Sequence, residues 1–252
     1  HMPFEAVAIE PRQGTRPRRR IAVIGAGISG MGAAHSLAER HDVVLFESGS
    51  RLGGHARTVM AGRNGDQPVD TGFIVFNYAN YPNLAALFAE LDVPVVKSNM
   101  SFGASIDGGR IEYALTNLNA VFAQRRNMLN PRFIAMLRDI FRFNKHATRL
   151  ADEDQNRTIG EFLSVLGTGR YFKDYYLSPL SGAIWSTPTE KIMDFPAYAM
   201  VDFFRNHALL GYSGQHQWYT VQGGSISYVD RLETAMRARG VDIRLNAPVQ
   251  TV

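Results

Sequence analysis

The chain has 252 residues, 45% of them hydrophobic, no cysteine, and a formal net charge of +4 from 27 Lys and Arg against 23 Asp and Glu. That length buries a sizeable core as one large or two modest domains, and the lack of cysteine excludes disulfides, thiol redox catalysis and cysteine-ligated metals. Pro3–Arg20 alone holds five arginines against Glu5 and Glu10, so the rest is nearly neutral and has no electrostatic motive for binding nucleic acid.

His1-Met2 reads as a cloning remnant, and the Arg-, Pro- and Gly-rich stretch after it predicts a disordered arm over residues 1–19. No apolar run approaches the roughly 18 residues of a membrane-spanning helix, and the amino terminus lacks a signal-peptide hydrophobic region. The expectation is a soluble globular protein of the cytoplasm.

Ile21–Ile24 predicts a strand buried on both faces, followed by Gly25-Ala26-Gly27-Ile28-Ser29-Gly30. Three glycines so spaced let the backbone turn tightly, approach a pyrophosphate and pack the next helix closely. That helix, with Ala33, Ala34, Leu37 and Ala38 as its small apolar face, points its amino terminus at the phosphates. Val43–Phe46 predicts a second strand ending at Glu47-Ser48, where a carboxylate accepts ribose hydroxyls and repels an NADP 2′-phosphate. Strand, turn, helix, strand and acid in this order predict a dinucleotide-binding βαβ unit over a chance Gly-rich turn.

Arg51-Leu52-Gly53-Gly54-His55-Ala56-Arg57-Thr58 follows. Its glycines admit close backbone approach, and Arg51 or Arg57 supplies a charge-assisted donor. The segment resembles the second motif of the flavin amine oxidase superfamily, in which an arginine and two glycines wrap the FAD pyrophosphate. Asp70-Thr71-Gly72-Phe73-Ile74-Val75-Phe76-Asn77 continues that resemblance, at a position that returns to the flavin edge. Tyr81-Pro82-Asn83, Ser98–Phe102, Ile184-Trp185-Ser186, Arg205-Asn206-His207 and Gln217-Trp218 resemble a narrower subgroup, the flavoproteins encoded beside cyclopropane fatty acyl phospholipid synthases.

The resemblance spans about residues 20–252 and implies an α/β fold, an FAD-binding Rossmann-like domain of the GR2 type interrupted by a mainly helical substrate domain. The expected division is 20–75 and 221–252 for the FAD-binding domain and 76–220 for the substrate domain. It implies noncovalent FAD on Gly25, Gly27, Ile28, Ser29, Gly30, Glu47, Ser48, Arg51, Gly53, Gly54, His55, Ala56, Arg57, Gly72 and Phe73, with the Val249 backbone at the adenine. Relatives continue well past this point, so the chain is expected to be an amino-terminal part whose missing carboxy-terminal part completes the fold. The superfamily's flavin-facing lysine would lie in that part.

Farther along, Asn64-Gly65 between Thr58–Met60 and Pro68–Asp70 predicts a hairpin with two positive-φ turn residues. Leu84, Leu87, Phe88 and Leu91 recur at helical spacing, and Ser101–Tyr113 reads as a hairpin about Asp107-Gly108-Gly109. Ala120 to about Leu210 reads mainly as helices, one opened by a capping box of Thr158 and Glu161. Gly223-Gly224-Ser225 opens a helix that ends near Arg239-Gly240, Val241–Leu245 is a strand, and Pro248-Val249 leads into a last one.

Phe73, Phe76, Tyr78 and Tyr81 either line the substrate face of the flavin or belong to the core. Trp185, Trp218 and Tyr219 either form an apolar tunnel or pack ordinarily. His207 reads as a proton carrier or, more readily, a satisfied structural histidine; for His55 the backbone matters more than the imidazole. No histidine pair has helical metal-ligand spacing, so no metal is expected. Seven basic residues, Arg125, Arg126, Arg132, Arg138, Arg142, Lys145 and Arg149, stand against Asp139 and accompany Phe133, Met136, Leu137, Ile140 and Phe141. That pattern fits either a helix lying on an anionic membrane, at the inner membrane face, or a solvated helix face.

No catalytic residue is identifiable. The resemblance implies an FAD-dependent oxidoreductase that transfers hydride from a substrate C–H bond to the flavin, on a small molecule or, from the subgroup, on a methylated or cyclopropanated lipid acyl chain. Amine oxidation is one alternative. A non-catalytic FAD-binding accessory of a lipid methyltransferase is another.

Overall fold

The computed structural model describes residues 17–185, 188–207, 209 and 216–252. The arm prediction therefore lies outside the described residues up to residue 16. Arg18 and Arg19, placed in the arm by composition, are held: the Arg18 guanidinium pairs with Asp42 at 2.8 Å, and the Arg19 carbonyl accepts from the Asp42 N–H.

In chain order the elements are β1 (Arg20–Ile24), α1 (Ile28–Leu37), β2 (Asp42–Phe46), β3 (Thr58–Ala61), β4 (Gln67–Asp70), α2 (Pro82–Glu90), β5 (Val95–Ser98), β6 (Gly103–Ile106) and β7 (Ile111–Ala114). Then come α3 (Leu118–Val121), α4 (Pro131–Glu153), α5 (Ile159–Leu166), α6 (Arg170–Phe172), α7 (Ser178–Trp185), α8 (Ala197–Asn206), β8 (Trp218–Val221), α9 (Ile226–Ala238) and β9 (Asp242–Arg244). Short 3-10 turns cover Arg125–Leu129 and Thr189–Asp194, and Lys173–Leu177 is a π-helical turn. The chain divides into two compact units, one of 1–74, 86–95 and 221–252, the other of 75–85 and 96–220.

In the first unit β1, β2 and β9 form a parallel sheet with β2 in the middle. Val43, Val44 and Leu45 are buried there, as a central strand requires. The expectation of a first strand buried on both faces fails, because among the described residues β1 pairs only with β2, and Ile24 is 53% exposed. On α1 the buried face is Met31, Ala34, His35 and Ala38, while Ala33 points to solvent. His35 is tolerated inside because its Nε2 meets Glu90 Oε1 at 2.9 Å, and Arg239 joins them by donating to Glu90 Oε1 and to the His35 carbonyl.

β3 and β4 pair antiparallel, but the register Ala61↔Gln67 leaves a five-residue loop in place of the expected two-residue turn. Positive φ falls on Gly62 and Gly65, not on Asn64. Gly62 turns the chain before Arg63–Asp66 can add ladder pairs. The strand expected at Pro248-Val249 is absent among the described residues. Asn246 takes φ 51°, the N–H groups of Asn246 and Ala247 are spent on the carbonyls of Gly49 and Glu47, and Pro248 has none to give a neighbour.

The second unit is a helical core around α4, with Phe133, Met136, Ile140, Phe143 and Ala147 packed against Phe162, Phe172 and Phe204. Asn130 caps α4, and Thr158 and Glu161 form the expected capping box on α5. β6 and β7 pair antiparallel across Asp107–Arg110 as expected, and β5 pairs with β8. Asp139, the acid among the arginines of α4, is buried because its Oδ2 accepts from the Gly169 N–H at 2.7 Å. Phe141 does not join the apolar repeat. One residue past Ile140, it is turned about 100° around the helix and stands 61% exposed.

Candidate functional site

The first unit gathers the glycine motif and the arginine-glycine motif into one backbone-lined cradle. Gly27 caps α1 without a side-chain bond, and the first helical hydrogen bond runs from the Met31 N–H to the Gly27 carbonyl. The N–H groups of Ile28, Ser29 and Gly30 thus have no acceptor among the described residues. Three free donors at the positive end of a helix dipole make an anion site. Gly30 is needed for a close approach: a Cβ there would lie 1.8 Å from the Gly25 carbonyl oxygen.

The second motif is joined to the first by backbone. Gly53 N–H donates to the Ala26 carbonyl at 2.8 Å, Gly27 and Gly53 form a parallel bridge, and a Cβ on Gly54 would sit 2.9 Å from Gly27 Cα. Arg51, one of the two expected pyrophosphate donors, is exposed and lies along its own loop. Its guanidinium donates to the carbonyls of Leu52, Gly54 and Ala56 and so fixes the curve of its own loop. Arg57 is exposed and its guanidinium is free for an anion among the described residues; His55 is exposed too, and Ala56 is buried.

Glu47 follows β2 directly. One carboxylate oxygen accepts from the Ala26 N–H at 2.7 Å, the other from the Gly49 N–H at 2.7 Å and from the Ser48 hydroxyl at 3.3 Å. These donors, the Gly49 N–H first and the Ala26 N–H next, lower its pKa, so it is ionised at neutral pH. A carboxylate has about four acceptor sites, so beside these three donors Glu47 keeps acceptor capacity to spare. Gly72 packs on the chain leaving the cradle, where a Cβ would lie 1.9 Å from the His55 carbonyl oxygen. Phe73 packs edge-on against Phe88 and Tyr228. Val249 is 39% exposed on the irregular segment after β9.

A polar hub missed by sequence reasoning joins the hairpin to α9. Asp70 accepts from the Ser225 N–H, from the Ser225 hydroxyl at 2.7 Å and from the Thr58 hydroxyl at 2.6 Å, while Thr58 Oγ1 accepts from the Ile226 N–H at 3.0 Å. Two side chains from β3 and β4 thus supply the cap α9 lacks locally. The readable signal was Gly223-Gly224-Ser225 itself, since a Cβ on Gly224 would lie 2.6 Å from the Thr58 methyl.

In the second unit, Phe76 is fully buried and packs with Tyr78 and Tyr219, while Tyr78 is 51% exposed. Trp185 packs on Phe203 and Phe204, and Trp218 is buried parallel to His207. His207 has both ring nitrogens engaged, Nδ1 with the Phe203 carbonyl at 2.9 Å and Nε2 with the Tyr81 hydroxyl at 3.2 Å, and its ring stacks 3.9 Å from Phe203. A carbonyl only accepts, so Nδ1 carries the proton and the ring is held as structure. Burial raises the Tyr81 pKa. A separate cavity of about 410 Å³ is lined by residues including Asp107, Lys173 and Ser178, and none of the expected substrate residues borders it. Among the described residues no group of acids and histidines could hold a metal.

Residues 28–252 match the family of flavin containing amine oxidoreductases, and the chain belongs to that family. FAD is accordingly its cofactor, and the fold is the amino-terminal part of the amine oxidase architecture. The chain is 42% identical over 55 residues to the flavin-dependent L-tryptophan oxidase of Lentzea aerocolonigenes, covering 21% of this chain and 12% of that protein. It is 49% identical over 43 residues to protoporphyrinogen oxidase 2 of Arabidopsis thaliana, covering 17% and 8%. Cyclohexylamine oxidase from Brevibacterium oxydans superposes with a TM-score of 0.62 at 19% identity, over 93% of this chain and 52% of that one. The chain thus spans about half the length of that structure and a small share of the two curated relatives. The free helix-start donors, the Cβ-less cradle and Arg57 fit a pyrophosphate, and Glu47 fits an adenosine ribose.

Proposed function

We propose that the protein is an FAD-dependent oxidoreductase in which Gly25–Gly30 and Arg51–Arg57 hold the pyrophosphate and Glu47 the ribose. The observation that carries this reading is the set of three N–H groups at the start of α1, unpaired among the described residues and facing a cradle closed by the Gly53–Ala26 hydrogen bond. When bound, FAD accepts a hydride from a substrate C–H bond. The residues of this chain bind and orient the cofactor; no acid-base pair among them is required for that.

For the substrate, the amine reading draws on family membership, while the acyl-chain reading draws on the subgroup resemblance of Tyr81-Pro82-Asn83 and Gln217-Trp218. The role of a non-catalytic accessory to a lipid methyltransferase is a further expectation of the same resemblance, while a cytoplasmic location rests on the sequence's lack of a long apolar run and of a signal-peptide region. No described helix is long and apolar enough to cross a membrane. Anaerobic mixing of the FAD-loaded protein with amines and with methylated or cyclopropanated phospholipids tests these readings. Bleaching by a lipid supports the acyl-chain substrate, bleaching by an amine supports amine oxidation, and bound FAD that no substrate reduces supports the accessory role. Failure to retain FAD refutes the cofactor assignment.

A further inference from the structure

α4 buries one face and exposes another. The buried face carries Phe133, Met136, Ile140, Phe143, Ala147 and Leu150. Its apolar face is therefore consumed by the core, and a helix lying flat on lipid by that face is ruled out. The solvent face is different in kind. Arg138, Arg142, Lys145 and Arg149 are all exposed, and at spacings of four, three and four residues they fall within about 60° of helix arc over about 16 Å.

The acid that could have neutralised them, Asp139, is turned into the core and spent on Gly169. Arg142 donates to the Gly167 carbonyl, and Arg149 pairs with Glu153 at the helix end. The charged groups of Arg138 and Lys145 have no partner among the described residues. Beside this cationic row stands Phe141, 61% exposed, and the turn that leads into the helix presents Met128 at 53% and Leu129 at 89% exposure.

We propose that the solvent face of α4 docks on an anionic phospholipid bilayer, its cationic row meeting headgroup phosphates while Phe141, Met128 and Leu129 enter the interface. This inference is independent of which substrate the flavin oxidises. Charge complementarity selects an anionic partner, and each surface cation strengthens attachment about fivefold. The apolar residues decide for a bilayer over a charged polymer. Exposed Leu and Met side chains gain from contact with acyl chains and gain nothing from a phosphate backbone, and long arginine stems lie along apolar surface with their heads among phosphates.

The test is sedimentation of the protein with vesicles of equal phosphatidylglycerol and phosphatidylcholine, compared with pure phosphatidylcholine, at low and high salt. The arm, with its own arginines, is kept in every variant. Binding to the anionic vesicles alone is expected, lost at about 1 M salt, where screening shortens to about 3 Å. The triple variant R138Q/K145Q/R149Q should bind about a hundredfold more weakly. The double variant L129S/F141S, at unchanged charge, should lose at least about fivefold, while a duplex DNA oligonucleotide should compete poorly. Circular dichroism checks folding, and R138Q/K145Q, which removes two unpartnered side chains, replaces the triple variant if that one unfolds. No binding, parental binding by the charge variant, or parental binding by L129S/F141S with efficient DNA competition each overturns the proposal.

Discussion

The Glu47 carboxylate accepts the Ala26 N–H at 2.7 Å, so the acid at the end of β2 closes the glycine turn at the end of β1 before any nucleotide arrives. The same carboxylate holds the Gly49 N–H, and Glu47 donates its own N–H to the Arg244 carbonyl of β9. One residue thus couples the sheet to the glycine turn and to the 47–49 turn.

Replacing Glu47 with Ala leaves two backbone donors without their acceptor and removes the charge-assisted bond that the proposed reading gives it to the ribose. Such bonds contribute about 1.5 to 3 kcal/mol, so FAD affinity should fall about ten- to a hundredfold. Titration calorimetry of the parent and variant reads this. An unchanged dissociation constant would remove Glu47 from the site.

Acid should weaken the fold through the same group. The folded-state pKa of Glu47 lies below its ordinary 4.5, held down chiefly by the Gly49 N–H, and that of Glu90 is lowered chiefly by its hydrogen bond to His35. Both stabilise the folded state fully above about pH 4.5, and the contribution disappears as pH falls through the lowered values. Melting temperatures between about pH 6 and pH 3 should fall for the parent and fall less for Glu47→Gln. Parallel curves would show that the lowered pKa has no bearing on stability.

Gly30→Ala forces a methyl into the space 1.8 Å from the Gly25 carbonyl oxygen, and backbone must move to admit it. The start of α1 shifts and its free N–H groups lose their aim. FAD binding should be lost to beyond about a hundredfold, whereas Gly32→Ala, where a Cβ meets nothing within 4 Å, should bind as the parent does. Equal behaviour of the two variants would contradict the close-approach role.

Asp70→Ala strips the fully buried Ser225 of the acceptor for both its N–H and its hydroxyl. Leaving such donors unsatisfied costs about 2 to 3 kcal/mol, and urea denaturation should show that loss. A loss under about 0.5 kcal/mol, the range of ordinary surface substitutions, would mean the hub is not what anchors α9.

His207→Asn should lower stability by about 1 kcal/mol through loss of the stack between Phe203 and Trp218 and of the Tyr81 bond. It should leave the pH dependence of flavin reduction unmoved for whichever substrate bleaches the flavin. A displaced pH profile would restore His207 as a proton carrier.

Local order carried much of this protein into its sequence. A strand, three glycines, a helix and an acid 17 residues past Gly30 announce a dinucleotide site because each step is set by neighbouring backbone. The capping box at Thr158 and Glu161 and the Asp107–Arg110 hairpin were legible for the same reason. Other features depended on residues far apart in the chain. Arg51 reads from the sequence as a phosphate donor alone, and only the fold shows its Nη groups also donating to the carbonyls of Leu52, Gly54 and Ala56. The Thr58–Asp70–Ser225 hub joins positions 155 and more residues apart, and no periodicity encodes such a meeting. Pro248-Val249 has strand-like neighbours, yet the donors of Asn246 and Ala247 go to the 47–49 turn. The division has one physical cause: short-range geometry is written in dihedral preference and side-chain period, whereas the choice of hydrogen-bond partner across the fold is made only when distant donors and acceptors compete for the same buried space.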